Sequence, residues 1–392
     1  MRLAMKIGRD LPKGARLLLQ AAAFCALAAA AGALAAEDCD PAQTTEFGGA
    51  APARDGQLRR PELNLADPGR YCLRADLHQR KLLDPRTGRE MKTVGGDAIV
   101  LIGADDVSLD LGGHAIVNER ESGYTLVRHY RYEPGRGHFH AFVRSRIRNG
   151  SLRSPGSRGI GIRLVSSRSH EPFEGGLAPA WREGAQCQGC NGESGGFGTP
   201  VRIPPGKAPA DVFPDTGHVL EDLVVEAGSH AILLDGKNNV IRNSRIIAHS
   251  DTAIVAQGPG TVIENNRIEV HADAGTSAGR HGARQAQARF AIRLIQADGA
   301  VVRNNEVRLV GGSGAAPLPA AIGLVASRDV VVEDNRIEGV QVLAAADADS
   351  SYRESRNRLQ TCRAGQRRFQ PPDETGELTR AGTPTCRSAA RR

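Results

Sequence analysis

Short apolar runs of two to five residues recur along the middle of the chain, separated by Gly, Asn, Asp or Ser. Runs of this length are too short for helices, and their alternation is typical of short β-strands. The segment that begins at Ala231 returns at Ala253, 22 residues later, and again at Ala291 and Ala321. Repeats of this length indicate a stacked array, so we predict a solenoid with three short strands in each coil.

Matching runs in successive coils are expected to pair in parallel about 4.8 Å apart, so that equivalent side chains form columns along the axis. We predict two inward-facing aliphatic columns, and one column of turn residues that hydrogen-bond to each other as amide ladders do. The first column is Ile232, Ile254, Ile292 and Ile322, the second is Val240, Val262, Val301 and Val331, and the third is Asn243, Asn265, Asn304 and Asp334.

This repeat resembles the right-handed parallel β-helix proteins, the superfamily shape of pectate lyases, polygalacturonases, alginate epimerases and phage tailspikes. The resemblance covers roughly residues 60–345 and implies an all-β solenoid of about seven coils in a single domain. It is specific for the fold and not for an activity, because one fold carries many functions. The catalytic motif sets of those enzymes are not present as sets, so no catalytic residue is carried over.

The composition changes along the chain and defines its organisation. We predict a signal peptide at 1–35, a lead-in segment with the N-terminal cap at 36–96, the β-helix at 97–344 and an Arg-rich tail at 345–392. Loops are expected to be inserted between coils at 119–141, 165–216 and 271–289.

The N-terminus combines five basic residues with an apolar stretch from Leu17 and the small-residue exit Ala33-Leu34-Ala35. This pattern is typical of a cleaved signal peptide, so we expect a secreted or periplasmic protein. The alternative is an uncleaved anchor, against which the interruption at Gln20 argues. No later stretch has the length and apolar character of a transmembrane segment.

The net charge of +7 is concentrated at the two ends of the chain. Residues 1–35 carry +4 and residues 353–392 carry +6, which leaves −3 for the body between them. A mildly acidic body lacks the basic stripe of a nucleic-acid-binding surface, so we expect no nucleic-acid partner.

Six cysteines follow the predicted signal peptide, and an even number in an exported chain favours disulfides. We expect pairing of Cys39 with Cys72 and of Cys362 with Cys386. Cys187 and Cys190 form a CxxC without a second metal-binding pair, so a local disulfide is preferred to a zinc site. No metal site is therefore assigned to the cysteines.

The predicted insertions flank the sheet of first strands, which suggests a trough with that sheet as its floor. Arg163, Asp235 and Arg293 are the ionisable residues expected on the floor. The loop after residue 124 interleaves aromatic and basic residues that could stack on sugars and pair with carboxylates; the alternative is a lid that covers the coil below. From this loop we predict Arg128, Arg131, Tyr132 and His138 as substrate-binding residues, and Tyr130 and His140 as catalytic residues.

The triplets His249-Ser250-Asp251 and His271-Ala272-Asp273 are separated by the 22-residue repeat. If the register continues, two imidazoles and two carboxylates stack one coil apart and form an acid–base pair, or hold a divalent cation such as calcium. The alternative is polar turn chemistry that was copied with the repeat.

We therefore predict an exported, monomeric β-helix protein that binds an acidic polysaccharide and modifies it, as a lyase or epimerase rather than a hydrolase. The alternative is a non-catalytic surface, adhesin-like or envelope scaffold with the same fold.

Overall fold

The computed structural model describes residues 63–79, 98–119, 125–129, 142–156, 159–165, 200, 203–249, 252–272, 290–311, 320–340, 342–360 and 378–380. The predicted signal peptide and its cleavage site lie outside these residues. None of the helices in the described ranges is long and apolar enough to cross a membrane.

The described chain is built almost entirely of short strands, three to a coil. In chain order they are β1 (Leu63–Leu65), β2 (Gly69–Cys72) and β3 (Leu77–Gln79); β4 (Ala98–Ile102), β5 (Val107–Asp110) and β6 (Ala115–Asn118); β7 (Thr125–His129) and β8 (Arg146–Ser154); β9 (Ile160–Leu164), the one-turn helix α1 (Pro209–Val212) and β10 (Val219–Ala227). They continue with β11 (Ile232–Asp235), β12 (Val240–Arg242) and β13 (Arg245–Ala248); β14 (Ile254–Gln257), β15 (Val262–Glu264) and β16 (Arg267–Ala272); β17 (Ile292–Ile295), β18 (Val301–Arg303) and β19 (Glu306–Gly311). The last are β20 (Ile322–Val325), β21 (Val330–Glu333) and β22 (Arg336–Glu338); β23 (Ala344–Asp347), β24 (Tyr352–Ser355) and β25 (Arg358–Gln360); and β26 (Leu378–Arg380).

The nine first strands, together with β26, form one ten-stranded sheet in the order β1-β4-β7-β9-β11-β14-β17-β20-β23-β26. The second and third strands form a second sheet, in which the long strands β8 and β10 each supply both positions. Every strand pairing within the described residues is parallel except that of β26, which runs antiparallel to β23, the first strand of the last coil. The all-parallel stack is the predicted solenoid.

The first predicted column is confirmed. Ile232 pairs in register with Ile254, which pairs with Ile292, which pairs with Ile322, and all four side chains are fully buried. The second column was placed one residue too early. The valines at 240, 262, 301 and 331 do stack, but they are half-buried on the outside. Because side chains alternate along a strand, the following residue of each three-residue run faces the core: Ile241, Ile263, Val302 and Val332.

The predicted amide ladder also lies one residue further along. Asn243, Asn265, Asn304 and Asp334 adopt left-handed φ angles of 54° to 56° and make the turn between the second and third strands. The buried ladder is formed by the residues that follow them. Each backbone N–H donates to the side-chain oxygen one coil on, from Ser244 to Asn266, Asn305, Asn335 and Asn357, at 2.9–3.0 Å.

Nine parallel first strands stack in the described residues, whereas about seven coils were expected. The first additional coil (Leu63–Gln79) lies in the segment predicted to be a cap, and the last one (Ala344–Gln360) begins at the final residue of the predicted β-helix and continues into the predicted tail. The last coil pairs through its backbone although its first strand consists mainly of alanine. The sequence did not predict this coil, because the periodic pattern is recognised by large apolar residues and alanine is small.

The segment predicted as the insertion 119–141 contains a first strand. β7 pairs with β4 on one side and with β9 on the other, and Leu126 and Val127 are fully buried. The charged and aromatic neighbours of this strand masked its apolar pair, so the coil lacked a first strand in the prediction.

The outer face of the second strands carries a column of alternating charge, which we call the ion ladder. Each member lies beside one of opposite sign in the next coil, as the pairs Arg148–Asp110, Arg242–Glu221 and Arg303–Glu264 show at 2.9, 2.6 and 2.6 Å. The members in axial order are Asp110, Arg148, Glu221, Arg242, Glu264, Arg303 and Glu333. The charged side chains of this face therefore neutralise each other.

A candidate site on the outer face of the third strands

His249 and His271 lie one above the other, as their 22-residue spacing predicts. Ala248 pairs in register with Val270, so the residues that follow them, His249 after the end of β13 and His271 within β16, occupy the same position in adjacent coils. The two ring centroids are 4.8 Å apart, with 52° between the ring planes. Their side chains are 29% and 28% exposed, so solvent reaches both rings.

Glu226 connects His249 to an arginine from another coil. Its Oε1 lies 3.0 Å from Nε2 of His249, and its Oε2 accepts a hydrogen bond of 3.0 Å from Nε of Arg153. Partial burial raises the pKa of Glu226, but the hydrogen bonds from His249 and Arg153 outweigh burial and hold the pKa below its usual range. Glu226 is therefore a carboxylate that orients the imidazole beside it.

Glu269 lies beside His271, two positions before it on β16. It accepts hydrogen bonds from Nε of Arg267 at 2.9 Å and from Arg245 at 3.3 Å, and its Oε2 is 4.0 Å from Nε2 of His271. Burial raises the pKa of Glu269, and the two arginines more than reverse that effect, so that the net shift is downward.

These side chains form one connected surface, which we call the histidine patch. Its guanidinium groups outnumber its carboxylates even while both imidazoles are neutral. Both carboxylates form salt bridges with arginines, so the groups that remain accessible to a ligand are imidazoles and guanidinium groups. The members are Arg153, Glu226, Arg245, His249, Arg267, Glu269 and His271.

Several predicted site residues lie outside the described residues, so their roles stay predictions: Tyr130, Arg131, Tyr132, His138, His140, Asp251 and Asp273. The same holds for Cys39, Cys187, Cys190, Cys362 and Cys386. Cys72, on β2, is disulfide-bonded.

The remaining predicted residues lie on the first-strand sheet and not beside the patch. Arg128 and Arg163 are neighbours in register on β7 and β9, whereas Arg293 lies on β17, beyond two coils that carry Leu233 and Val255 at this position. The structure therefore does not gather the three arginines around one point.

The middle of the predicted trough floor is buried, and Asp235, predicted to bind substrate there, is not accessible to it. Asp235 is fully buried. Its neighbours on the same face include Leu233, Val255 and Ile295, each 3% exposed or less, in an apolar cluster with Ile160. The part of the floor between Arg163 and Arg293 is therefore apolar and buried, and a charged polymer would lose hydration there without gaining a charged partner. For this reason we place the candidate site on the outer face of the third strands.

Sequence reasoning missed the carboxylates and arginines of the patch. Glu269 lies two positions before His271 on β16, whereas Glu226 and Arg153 are outward residues of β10 and β8 that only the register between coils brings to the histidines. The repeat could have found Glu226, which is 23 positions before His249 and lies beside it in the neighbouring coil. Arg153 is 73 positions before Glu226, so the repeat spacing does not reach it.

The described residues hold no group of three or more His, Cys, Asp and Glu side chains that could bind a metal ion. Asp251 and Asp273, which complete the predicted ligand set, lie outside the described ranges. Calcium binding therefore remains a prediction that rests on sequence spacing.

Residues 215–364 match the family model described as "Right handed beta helix region". The match starts in the coil of β10 and runs through the last coil, and so covers the part of the chain that holds most of the histidine patch. Together with the parallel stacking of all coils, it defines the fold as a right-handed parallel β-helix. Comparison with curated proteins and with solved structures found no match for this chain.

Proposed function

We propose that this protein binds an acidic polysaccharide along the histidine patch. The observation that supports the proposal is the solvent-accessible pair His249–His271, one above the other among three arginines on a regular β-helix face. Guanidinium forks bind carboxylates, and imidazoles contribute further donors when they are protonated. A chain of anionic sugars lying along the axis meets such groups at intervals of about 4.8 Å, the spacing of the coils.

The rigidity of the scaffold favours binding without rearrangement. Six of the seven patch residues stand on strands that are paired on both sides. His249 follows β13 directly and donates its backbone N–H to the carbonyl of Ala227 at 3.0 Å, and the arginines are oriented by Glu226 and Glu269. A site that is ordered before the ligand arrives loses less conformational entropy on binding.

The test is calorimetric titration with polygalacturonate and alginate, with dextran as the neutral control. We expect binding of at least one uronate polymer, weaker at high salt, and at least about a tenfold loss of affinity in the double variant His249→Ala/His271→Ala. Arg336→Ala, on the same face but outside the patch, is the matched control and should bind normally. Absence of binding to every anionic polymer, or equal loss in the control, contradicts the proposal.

A second candidate function, modification of the bound polymer, is favoured by the hydrogen bond between Glu226 and His249. A carboxylate-oriented imidazole can remove a proton next to a uronate carboxylate, as lyases and epimerases require. Hydrolysis fits less well, because a hydrolase needs a protonated carboxylic acid, and arginines keep both patch carboxylates ionised. Ultraviolet absorbance from unsaturated chain ends, lost in His249→Ala, would identify a lyase; binding without any turnover would leave the scaffold alternative.

We further propose that the protein is exported, as its N-terminal pattern suggests, and acts outside the cytoplasm as a monomer. N-terminal sequencing of the mature protein tests export, with cleavage after Ala35 expected. Retention of the first 35 residues in the mature protein contradicts it.

A further inference from the structure

Two histidines lie inside the solenoid, on the side opposite to solvent, and share a serine. Nε2 of His129 is 2.8 Å from Oγ of Ser145, and the backbone N–H of Ser145 donates to Nδ1 of His218 at 3.1 Å. The two ring centroids are 4.7 Å apart. His129 is 4% exposed, and Ser145 and His218 are fully buried.

His129 occupies a position that aliphatic residues fill in the adjacent coils. It pairs with Ile102 of β4, and the same register brings it beside Leu164 of β9, both fully buried. An imidazole in an aliphatic column loses hydration that only a hydrogen bond can replace. Here a single bond to Ser145 replaces it.

The hydrogen bonds fix how His218 behaves toward protons. Because its Nδ1 accepts from a backbone N–H, the neutral ring carries its proton on Nε2. Protonation of Nδ1 would therefore break the bond to Ser145. Nε2 of His218 and Nδ1 of His129 are buried without a hydrogen-bond partner within the described part of the chain, so the charged rings would gain no new acceptor there.

The surroundings of the pair, as far as they are described, offer no compensating negative charge. Ile102, Leu164, Phe142 and Asn239 line the neighbouring positions. The charged groups at the same corner face outward: Asp106 pairs with Arg144, Asp105 accepts from the backbone, Arg146 pairs with Glu221, Arg128 lies on the outer side of β7 and Asp235 on that of β11.

Burial accordingly lowers the pKa of His218 from 6.5 to about 3. Burial, and then the proximity of His218, lower the pKa of His129 as well. Because both groups bind protons more weakly in the folded state, the folded state is favoured fully above pH 6.5. It loses that advantage as the pH falls from 6.5 toward 3.

We propose that His129, Ser145 and His218 form an acid-sensitive latch, which holds the end of β7 against the starts of β8 and β10 and releases it when the histidines take up protons. The latch lies at the junction of the third and fourth coils, directly before residues 130–141. Its release frees the end of a first strand while coils that lack buried histidines keep their pairing.

The latch is independent of the proposed carbohydrate binding and is tested on the full-length protein without a ligand. Amide hydrogen exchange, corrected for intrinsic rates, is followed by NMR from pH 7 to pH 4. Protection of the Ser145 amide, which donates to His218, should fall before that of the Asn305 amide, which donates to Asn335. Equal loss of protection at both amides contradicts the latch.

Two substitutions, each of which introduces the residue found at the same position in a neighbouring coil, distinguish acid unfolding caused by the latch from acid unfolding of the protein in general. His129→Leu places the residue of the β9 coil in the column, and His218→Asn copies Asn239 of the next coil. Each should lower the midpoint of acid unfolding by about one pH unit, and the exposed-site control His78→Gln should leave it unchanged. Unchanged midpoints in both latch variants would overturn the proposal; if one variant fails to fold, the exchange experiment on the wild-type protein decides.

Discussion

At the scale of single residues, two adjacent asparagines have different functions in the same turn. Asn304 takes a left-handed φ of 55°, a conformation that Asn and Gly tolerate better than other residues do. Asn305 is 1% exposed and uses both ends of its amide within the ladder. The sequence cannot separate them by residue type, and this explains why the ladder was assigned to the wrong asparagine.

This difference predicts opposite outcomes at neighbouring positions. Asn305→Ala leaves the N–H of Asn266 and the carbonyl of Ile263 without their side-chain partners, and should lower the free energy of unfolding by about 3 kcal/mol. Asn304→Gly keeps the left-handed turn available and should change it by less than about 0.5 kcal/mol. Urea denaturation measures both, and a larger loss at Asn304 would contradict the assignment.

Glu221, a member of the ion ladder, forms salt bridges with two arginines, of which Arg242 belongs to the ladder and Arg146 does not. It is 4% exposed and pairs with Arg146 in one neighbouring coil and Arg242 in the other. Burial raises the pKa of its carboxyl, but the hydrogen bonds from the two arginines exceed that effect and leave the pKa below 4.5.

Replacing this carboxylate should therefore have a pH-dependent cost. Glu221→Gln is expected to lower the free energy of unfolding by about 2 kcal/mol at pH 7, where the carboxylate is charged in both folded and unfolded chains. A depressed folded-state pKa gives stability that is present above pH 4.5 and is lost below it. The difference between wild type and variant, measured by urea denaturation, should shrink as the pH falls below 4.5; a constant difference would show that the charge is not its cause.

At the scale of elements, β7 shows where pattern reading fails and why. The columns through Ile232 were predictable because large aliphatic residues recur at a fixed spacing. In β7 only Leu126 and Val127 are aliphatic, and the inward position that follows holds His129. The last coil, which begins at Ala344, fails for the related reason that small residues suffice near the end of a core.

The assignment of β7 as a core strand has a measurable consequence. Leu126→Ala should lower the free energy of unfolding by about 2–5 kcal/mol, because the side chain is fully buried. Val224→Ala on β10, where the side chain is 40% exposed, is the control and should cost less than about 0.5 kcal/mol. Similar small losses at both sites would contradict the assignment of β7 as a core strand and favour the predicted loop.

The candidate site was predictable only in part, and the same register explains the limit. The spacing of His249 and His271 equals the repeat, so their stacking followed from sequence. Glu226 and Arg153 stand on the long strands β10 and β8, each of which contains a residue with a left-handed φ angle. A long segment of chain also separates the two strands in sequence. Their contact with the histidines depends on which face each strand presents, and that is set by the left-handed turn residues.

At the scale of the whole molecule, each coil contacts mainly its two neighbours, so a coil is the natural unit of deletion. Residues 232–253 and 322–343 are both 22-residue coils, because Ile232 pairs with Ile254 and Ile322 with Ala344. Deleting either should leave a solenoid one coil shorter. A chain that lacks only residues 232–242 should not fold, because removal of part of a coil pairs inward-facing residues of one coil with outward-facing residues of the next.

The two whole-coil deletions differ in the charges that they bring together. Removing 322–343 places Arg303 beside Ser355 and Asn305 beside Asn357, and so continues the amide ladder without conflict. Removing 232–253 places Glu221 beside Glu264, two like charges in adjacent strands. We expect the second deletion to have the lower melting temperature by circular dichroism, and Glu264→Gln in that background to raise it. If the substitution has no effect there, alternating charge is not what sets the order of the coils, and the aliphatic columns alone determine which coils can be neighbours.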